Sequence, residues 1–314
     1  METDSRAGTA IVFPGMGPVR FDDVAKFLLI NPRARKLMAS ADETLGYSVL
    51  DRYRETDGDY SEYAQVAFLV TCLAMARWSE ETLGARPDVC TGASFGGKAA
   101  AAYSGALTFP EAVSLTARLA RCEDAYFARQ HRDVVTHSFV RMPADRLGDV
   151  LRELDDQGDW YDMSCYIDDD FFMVSLREGR LEWFQRRLRA SGGFPLYTMR
   201  PPMHSAAFGP LRDQVEQDVF TDIRFADPTI PVVADQDGTV LDSAEGVRTM
   251  LLDGFVRPVR WPAVVATLKR LRVGTLYVAG PDSIFGRVGC TSRNFDVVAV
   301  NPRLALQPRR RAVA

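Results

Sequence analysis

Residues 88–103 restrict the fold more than any other part of the chain. Asp88-Val89-Cys90-Thr91 runs into Gly92-Ala93-Ser94-Phe95-Gly96-Gly97 and then into a small-residue run ending at Tyr103. A β-rich run, a glycine turn and a helix former in succession predict a strand that reverses sharply into a helix. Residues 92–96 also match G-x-S-x-G, in which residues lacking a Cβ let the chain turn while a serine hydroxyl stays exposed at the bend. The helix that follows offers free main-chain N–H groups to a developing oxyanion. Such glycine patterns also occur in plain tight turns; the strand before this one and the helix behind it favour a nucleophile at Ser94.

The remaining elements are arranged around that turn. Residues 9–13 read as a buried strand closed by Pro14-Gly15-Met16-Gly17, and residues 22–45, 64–83 and 111–127 show helical spacing. From 133 to 199 the rhythm becomes β-α-β-β-α-β, with strands at 134–140, 160–167, 171–176 and 194–199 and helices at 143–154 and 178–190. That order is the ferredoxin-like split βαβ unit. Helices at 211–219, 244–253 and 262–270 and strands at 231–234 and 274–279 then resume the first pattern. The expected fold is α/β: an α/β-hydrolase-like large domain with a parallel sheet, built from residues 1–132 and 200–314, and an inserted ferredoxin-like small subdomain at 133–199.

Composition removes several function classes. With Lys+Arg 38 against Asp+Glu 42, the net charge of -4 leaves no dominant basic face for a nucleic acid. The five cysteines are scattered without a C-x-x-C spacing, which suggests neither a disulfide framework nor a metal cage. The longest apolar stretch, residues 66–76, falls far short of the roughly 20 residues that span a bilayer. The N-terminus has no signal-peptide pattern, and no coiled coil stands out. A cytoplasmic monomer without membrane contact, bound metal or bound cofactor is the expectation. The tail, with Pro302 and Arg309-Arg310-Arg311, reads as a frayed solubilising terminus.

A serine nucleophile at neutral pH wants a base, most often histidine, and only His131, His137 and His204 exist to supply one. His131 and His137 flank the start of the insertion and read as solvated surface groups. His204 lies in the proline-led loop Pro201-Pro202-Met203-His204-Ser205, at the return to the large domain, where clefts form between domains. It is the better candidate.

These residues together are similar to the superfamily of malonyl-CoA:acyl-carrier-protein transacylases and polyketide synthase acyltransferases. Phe13-Pro14-Gly15-Met16-Gly17 resembles its F-P-G-Q-G, Tyr63-Ala64-Gln65-Val66-Ala67 its T-Q-P-A, and the Ser94 turn its G-H-S-x-G-E. Met203-His204-Ser205 resembles F-H-S, Arg257-Pro258-Val259-Arg260-Trp261 resembles N-P-V-R-W, and Tyr277-Val278-Ala279-Gly280-Pro281 resembles E-x-G-P. The resemblance implies a ping-pong acyltransferase: Ser94 activated by His204, an oxyanion hole from the backbone N–H groups of Met16 and Phe95, and a main-chain carbonyl at or beside Gly254 orienting the histidine. It implies a substrate pocket at Gln65, Ala93, Leu119 and Met203, and the phosphopantetheine arm of an acyl carrier protein as substrate carrier. The acidic carrier would meet a basic, partly apolar rim at Arg152, Arg200, Met203, Arg287 and Arg293.

Departures from the family pattern bear on the acyl group. The position of the arginine that clamps a malonyl carboxylate falls on Leu119, with Arg118 and Arg121 turned about 100 to 200 degrees away around the helix. Ala93 and Gly97 replace a histidine and a glutamate. A wider pocket without a carboxylate clamp resembles the discrete enzymes of macrolactam polyketide antibiotic pathways, which move an aminoacyl or dipeptidyl group between acyl carrier proteins. Malonyl transfer stays open as an alternative, as does an editing hydrolase that clears carriers with the same two residues. An α/β-hydrolase esterase is disfavoured because its histidine comes late in the chain. A silent carrier-docking scaffold is disfavoured because both Ser94 and His204 are present.

Overall fold

The computed structural model describes residues 7–56 and 58–307. Two sheets organise the chain. The first takes β1 (Gly8–Phe13) and β2 (Val89–Gly92) from the N-terminal part; the strands of the insertion are β3 (Val134–Val140), β4 (Tyr161–Asp168), β5 (Phe171–Arg177) and β6 (Phe194–Met199). The C-terminal part adds β7 (Val232–Val233), β8 (Val240–Leu241), β9 (Val259–Arg260), β10 (Val273–Ala279) and β11 (Asp296–Val300). The large sheet runs β11-β10-β1-β2-β7-β8 and is parallel except for the β7–β8 hairpin. The small sheet runs β6-β3-β5-β4-β9 and is antiparallel except for β4–β9. This is the expected α/β class, a large α/β-hydrolase-like body carrying a ferredoxin-like unit.

The helix Glu62–Thr82 is buried along almost its whole length, which explains its weak amphipathicity: it lies among other helices against the large sheet. The helix Phe109–Phe127 starts in a capping box, with Thr108 receiving the Glu111 N–H and Glu111 receiving that of Thr108.

Four expectations are corrected. Residues 22–45 form two helices, Phe21–Ile30 and Pro32–Leu45, because Asn31 ends the first and its side chain accepts the N–H groups of Arg33 and Ala34 to start the second. The tail from Asn301 does not fray at once: the short helix Pro302–Ala305 sets Leu304 and Ala305 against the core. Residues 309–311 lie outside the described part. The small sheet draws its fifth strand, β9, from beyond the insertion, so the insertion and the large body share a sheet edge. His137 is no surface group: it is 1% exposed within β3, bonded through Nδ1 to the Thr198 hydroxyl at 2.9 Å and stacked on Phe139.

Candidate active site

The turn after β2 has no room for side chains. A Cβ at Gly92 would lie 2.0 Å from the Gly96 carbonyl carbon, and one at Gly96 would lie 2.2 Å from the Phe13 oxygen. Both glycines are therefore required for β2, β1 and the helix Gly96–Tyr103 to meet. Between them Ser94 sits in the left-handed region at φ 53, a conformation that costs a non-glycine residue about 1–3 kcal/mol and persists only when its surroundings hold it. The hold is visible: the Ser94 N–H donates to Asp235 Oδ2 at 2.5 Å. Asp235 follows β7, the strand next to β2, and burial pushes its carboxyl up to about 7 against the opposing pull of the Ser94 N–H.

His204 meets the serine from the other side. Its Nε2 lies 2.7 Å from Ser94 Oγ, and the residue is 3% exposed with φ 61. Both parts of the fold clamp its loop. The Met203 N–H donates to the Thr136 hydroxyl of β3 and Ser205 Oγ donates to Asp162 of β4, while the Ser205 N–H donates to the Phe255 carbonyl. Nδ1 faces the carbonyls of Gly254 and Arg257, somewhat outside ideal hydrogen-bond geometry. Burial lowers the imidazole to about 4, and the two carbonyls only partly offset it. The ring is thus neutral at pH 7, and the tautomer inferred from these carbonyls, with the proton on Nδ1, leaves Nε2 free to accept from the serine hydroxyl. Arg257, paired with Asp237 at 2.8 Å and Asp253 at 3.3 Å, secures the loop that presents those carbonyls.

The main-chain N–H groups of Met16 and Phe95 have no intramolecular acceptor among the described residues, and both residues border the same cavity as Ser94. An oxyanion formed there would find unengaged donors. The cavity, about 90 Å³, is lined by Gln65, Leu119 and Met203, and by Met199, Met250 and Leu251. A second cavity of about 40 Å³ reaches Ser94 and His204 from between the two sheets, past Met173, Tyr197, Val259 and Phe285. The dyad stands where the two meet.

Ala93 does not line either cavity. It is fully buried and packs with Val12, Val233 and Phe285, so its exchange for a larger residue acts on the core and not on the pocket. Gly97 does border the first cavity, where an added Cβ would meet Leu251 at 3.4 Å. Arg118 turns away to Asp222 at 3.0 Å and Arg121 to Glu62 at 2.7 Å. The arginines of the expected rim, Arg152, Arg200, Arg287 and Arg293, are all exposed; Arg152 pairs with Asp149, Arg200 with Glu178, and Arg293 with Asp168 at 3.9 Å.

Three charged residues of the site escaped the sequence reading. Lys98 and Glu123 line the first cavity, and Asp235 accepts the Ser94 N–H. Glu123 carries a signal, since it follows Leu119 by the four residues that put side chains on one helical face; Lys98 has no such relation to Ser94, which lies before the helix Gly96–Tyr103. Asp235 had none, because its relation to Ser94 exists only through the pairing of β2 with β7.

Residues 138–199 match the family described as the VinK acyltransferase small domain. The chain is 25% identical over 300 residues to the malonyl CoA-acyl carrier protein transacylase of Bacillus subtilis, covering 93% of each chain. It is 26% identical over 273 residues to a probable mitochondrial malonyl-CoA-acyl carrier protein transacylase of Drosophila melanogaster, covering 82% of this chain and 71% of that one. Among solved structures it superposes on a malonyl-transacylase in complex with its type II polyketide synthase acyl-carrier protein, with a TM-score of 0.82, 24% identity, and 94% and 96% of the two chains covered. The last likeness speaks for the fold.

Proposed function

We propose that this chain, an acyltransferase of the same superfamily as the malonyl-CoA-acyl carrier protein transacylases, moves an aminoacyl or dipeptidyl group between acyl carrier proteins through an ester on Ser94. The observation that carries the reading is the 2.7 Å contact between Ser94 Oγ and a buried, neutral His204, at the mouth of a cavity whose wall bears Leu119. Neutral His204 takes the hydroxyl proton as Oγ attacks the thioester carbonyl, and the N–H groups of Met16 and Phe95 donate to the oxyanion. Collapse expels the pantetheine thiol, which leaves with the proton from His204, and the acyl group stays on Ser94. A second thiol gives its proton to His204, attacks the ester carbonyl, and the serine is reprotonated. The cavity between the sheets suits the phosphopantetheine arm, and the cavity beside Leu119 suits the acyl group. Arg152, Arg200, Met203, Arg287 and Arg293 are the proposed carrier-facing rim.

Malonyl transfer is the second reading, favoured by the names of the relatives. Against it stands Leu119, an apolar side chain that gives a carboxylate no bidentate partner. The match of residues 138–199 to an acyltransferase small domain supports acyl transfer in either reading. Its test is transfer of a labelled aminoacyl group from one carrier to another. The account expects label on the acceptor with the native chain and none with Ser94→Ala; a Ser94→Ala protein that still transfers would overturn it.

A further inference from the structure

We infer that Glu123, Gln65 and Lys98 form a charged floor to the acyl cavity that reads a free ammonium on the acyl group, with Glu123 as the ammonium's partner. This rests on the acyl-serine reading above. The rest of the lining is mostly apolar, with Met16, Phe95, Leu119, Met199, Met250 and Leu251. Ionisable groups in such a setting cost several kcal/mol unless they are partnered. Here the partners are one another's fields and the Gln65 amide between them. Lys98 Nζ donates to Gln65 Oε1 at 3.2 Å and lies 4.5 Å from the centre of the Phe95 ring. Gln65 Nε2 donates to the Tyr60 carbonyl at 3.0 Å, and the same amide reaches Glu123. Among the described residues no ion pair joins Lys98 to Glu123; the Gln65 amide links them. Glu123 is 5% exposed, whereas Lys98 keeps some accessible surface because it borders the cavity, though protein encloses it.

The balance of charge chooses between ligands. Two carboxyl groups, Asp235 and Glu123, line this cavity against one ammonium, Lys98. A malonyl carboxylate would add a third acidic group, whereas an ammonium offsets one. Burial pushes Glu123 up and Lys98 down, so both are readier to be neutral than in water, and an ammonium beside Glu123 favours its charged form.

The test compares acyl-enzyme formation, by intact mass, from the pantetheine thioesters of alanine, of propionate (the same chain without the amine) and of malonate. The expected wild-type preference for alanyl over propionyl is roughly tenfold to a hundredfold, the value of a hydrogen bond to a charged group. In Glu123→Gln the ratio of alanyl to propionyl loading collapses toward one, and Glu123→Asp recovers part of it. A Glu123→Gln protein that keeps the wild-type preference overturns this assignment and leaves the aminoacyl reading intact. A wild-type chain that loads malonyl and not alanyl overturns both. Should Glu123→Gln not fold, the wild-type ratio alone decides, and equal loading of alanyl and propionyl refutes the floor as an ammonium reader.

Discussion

At the scale of the residue, His204 is set up to accept a proton over an unusually wide pH range. Its ordinary value of 6.5 falls to about 4 through burial. A base works only when neutral, so lowering its value extends the working range downward. Acyl-enzyme formation in the free enzyme should hold through pH 6 and decline only near pH 4, measured as the initial rate of adduct growth; a decline centred near 6.5 would show a solvated imidazole. The same shift bears on folding. Below 6.5 the unfolded chain takes up a proton that folded His204 refuses, so its contribution to stability is whole above 6.5 and is lost as the pH falls toward 4. His137, also lowered to about 4 by burial, adds a loss of the same sign. Asp235, raised to about 7, works in the opposite direction: the folded state holds its proton between 3.8 and 7, so its contribution fades as the pH rises through that window. Ser94 and His204 could be read from the sequence because glycine and proline punctuation marked them. Glu123 could have been read from its helical spacing to Leu119. Asp235 could not, since a carboxylate 141 residues from its partner carries no local mark.

At the scale of the element, the sharp turn between β2 and its helix depends on the absence of two Cβ atoms. Gly96→Ala would place a methyl 2.2 Å from the Phe13 carbonyl oxygen, against backbone that cannot step aside without moving β1. A loss of about 3 kcal/mol or more is expected, read as a lower urea midpoint, together with loss of the Ser94 adduct. An unchanged midpoint would mean the turn is looser than the geometry requires. The long elements were readable because their patterns are local: the burial of β1, the capping box at Thr108 and the β-α-β-β-α-β order all lie in contiguous sequence. The two-residue strands β8 and β9 show why the rest was not. They exist because neighbouring strands offer hydrogen-bonding edges, and Val259-Arg260 joins the small sheet only once β4 is in place.

At the scale of the whole molecule, the insertion and the large body meet at Ser94 and His204, and the proposed reaction has the carrier arm entering between them. The His204 loop is bonded to β3 and β4 on one side and to Phe255 on the other. The slightly acidic total of -4 is compatible with an acidic partner if exposed arginines do the docking. Reversing Arg152 or Arg293 to Glu should raise the KM for carrier substrates several-fold and spare small pantetheine thioesters; equal KM values would remove these residues from the rim. No helix among the described residues is long and apolar enough to cross a membrane. The most direct test of the account is the intact mass of the wild-type chain after parallel exposure to aminoacyl-carrier protein and to malonyl-CoA. The account predicts an aminoacyl adduct on Ser94 that survives in buffer and discharges when a free carrier is added. Brisk malonyl loading with no aminoacyl adduct would contradict it.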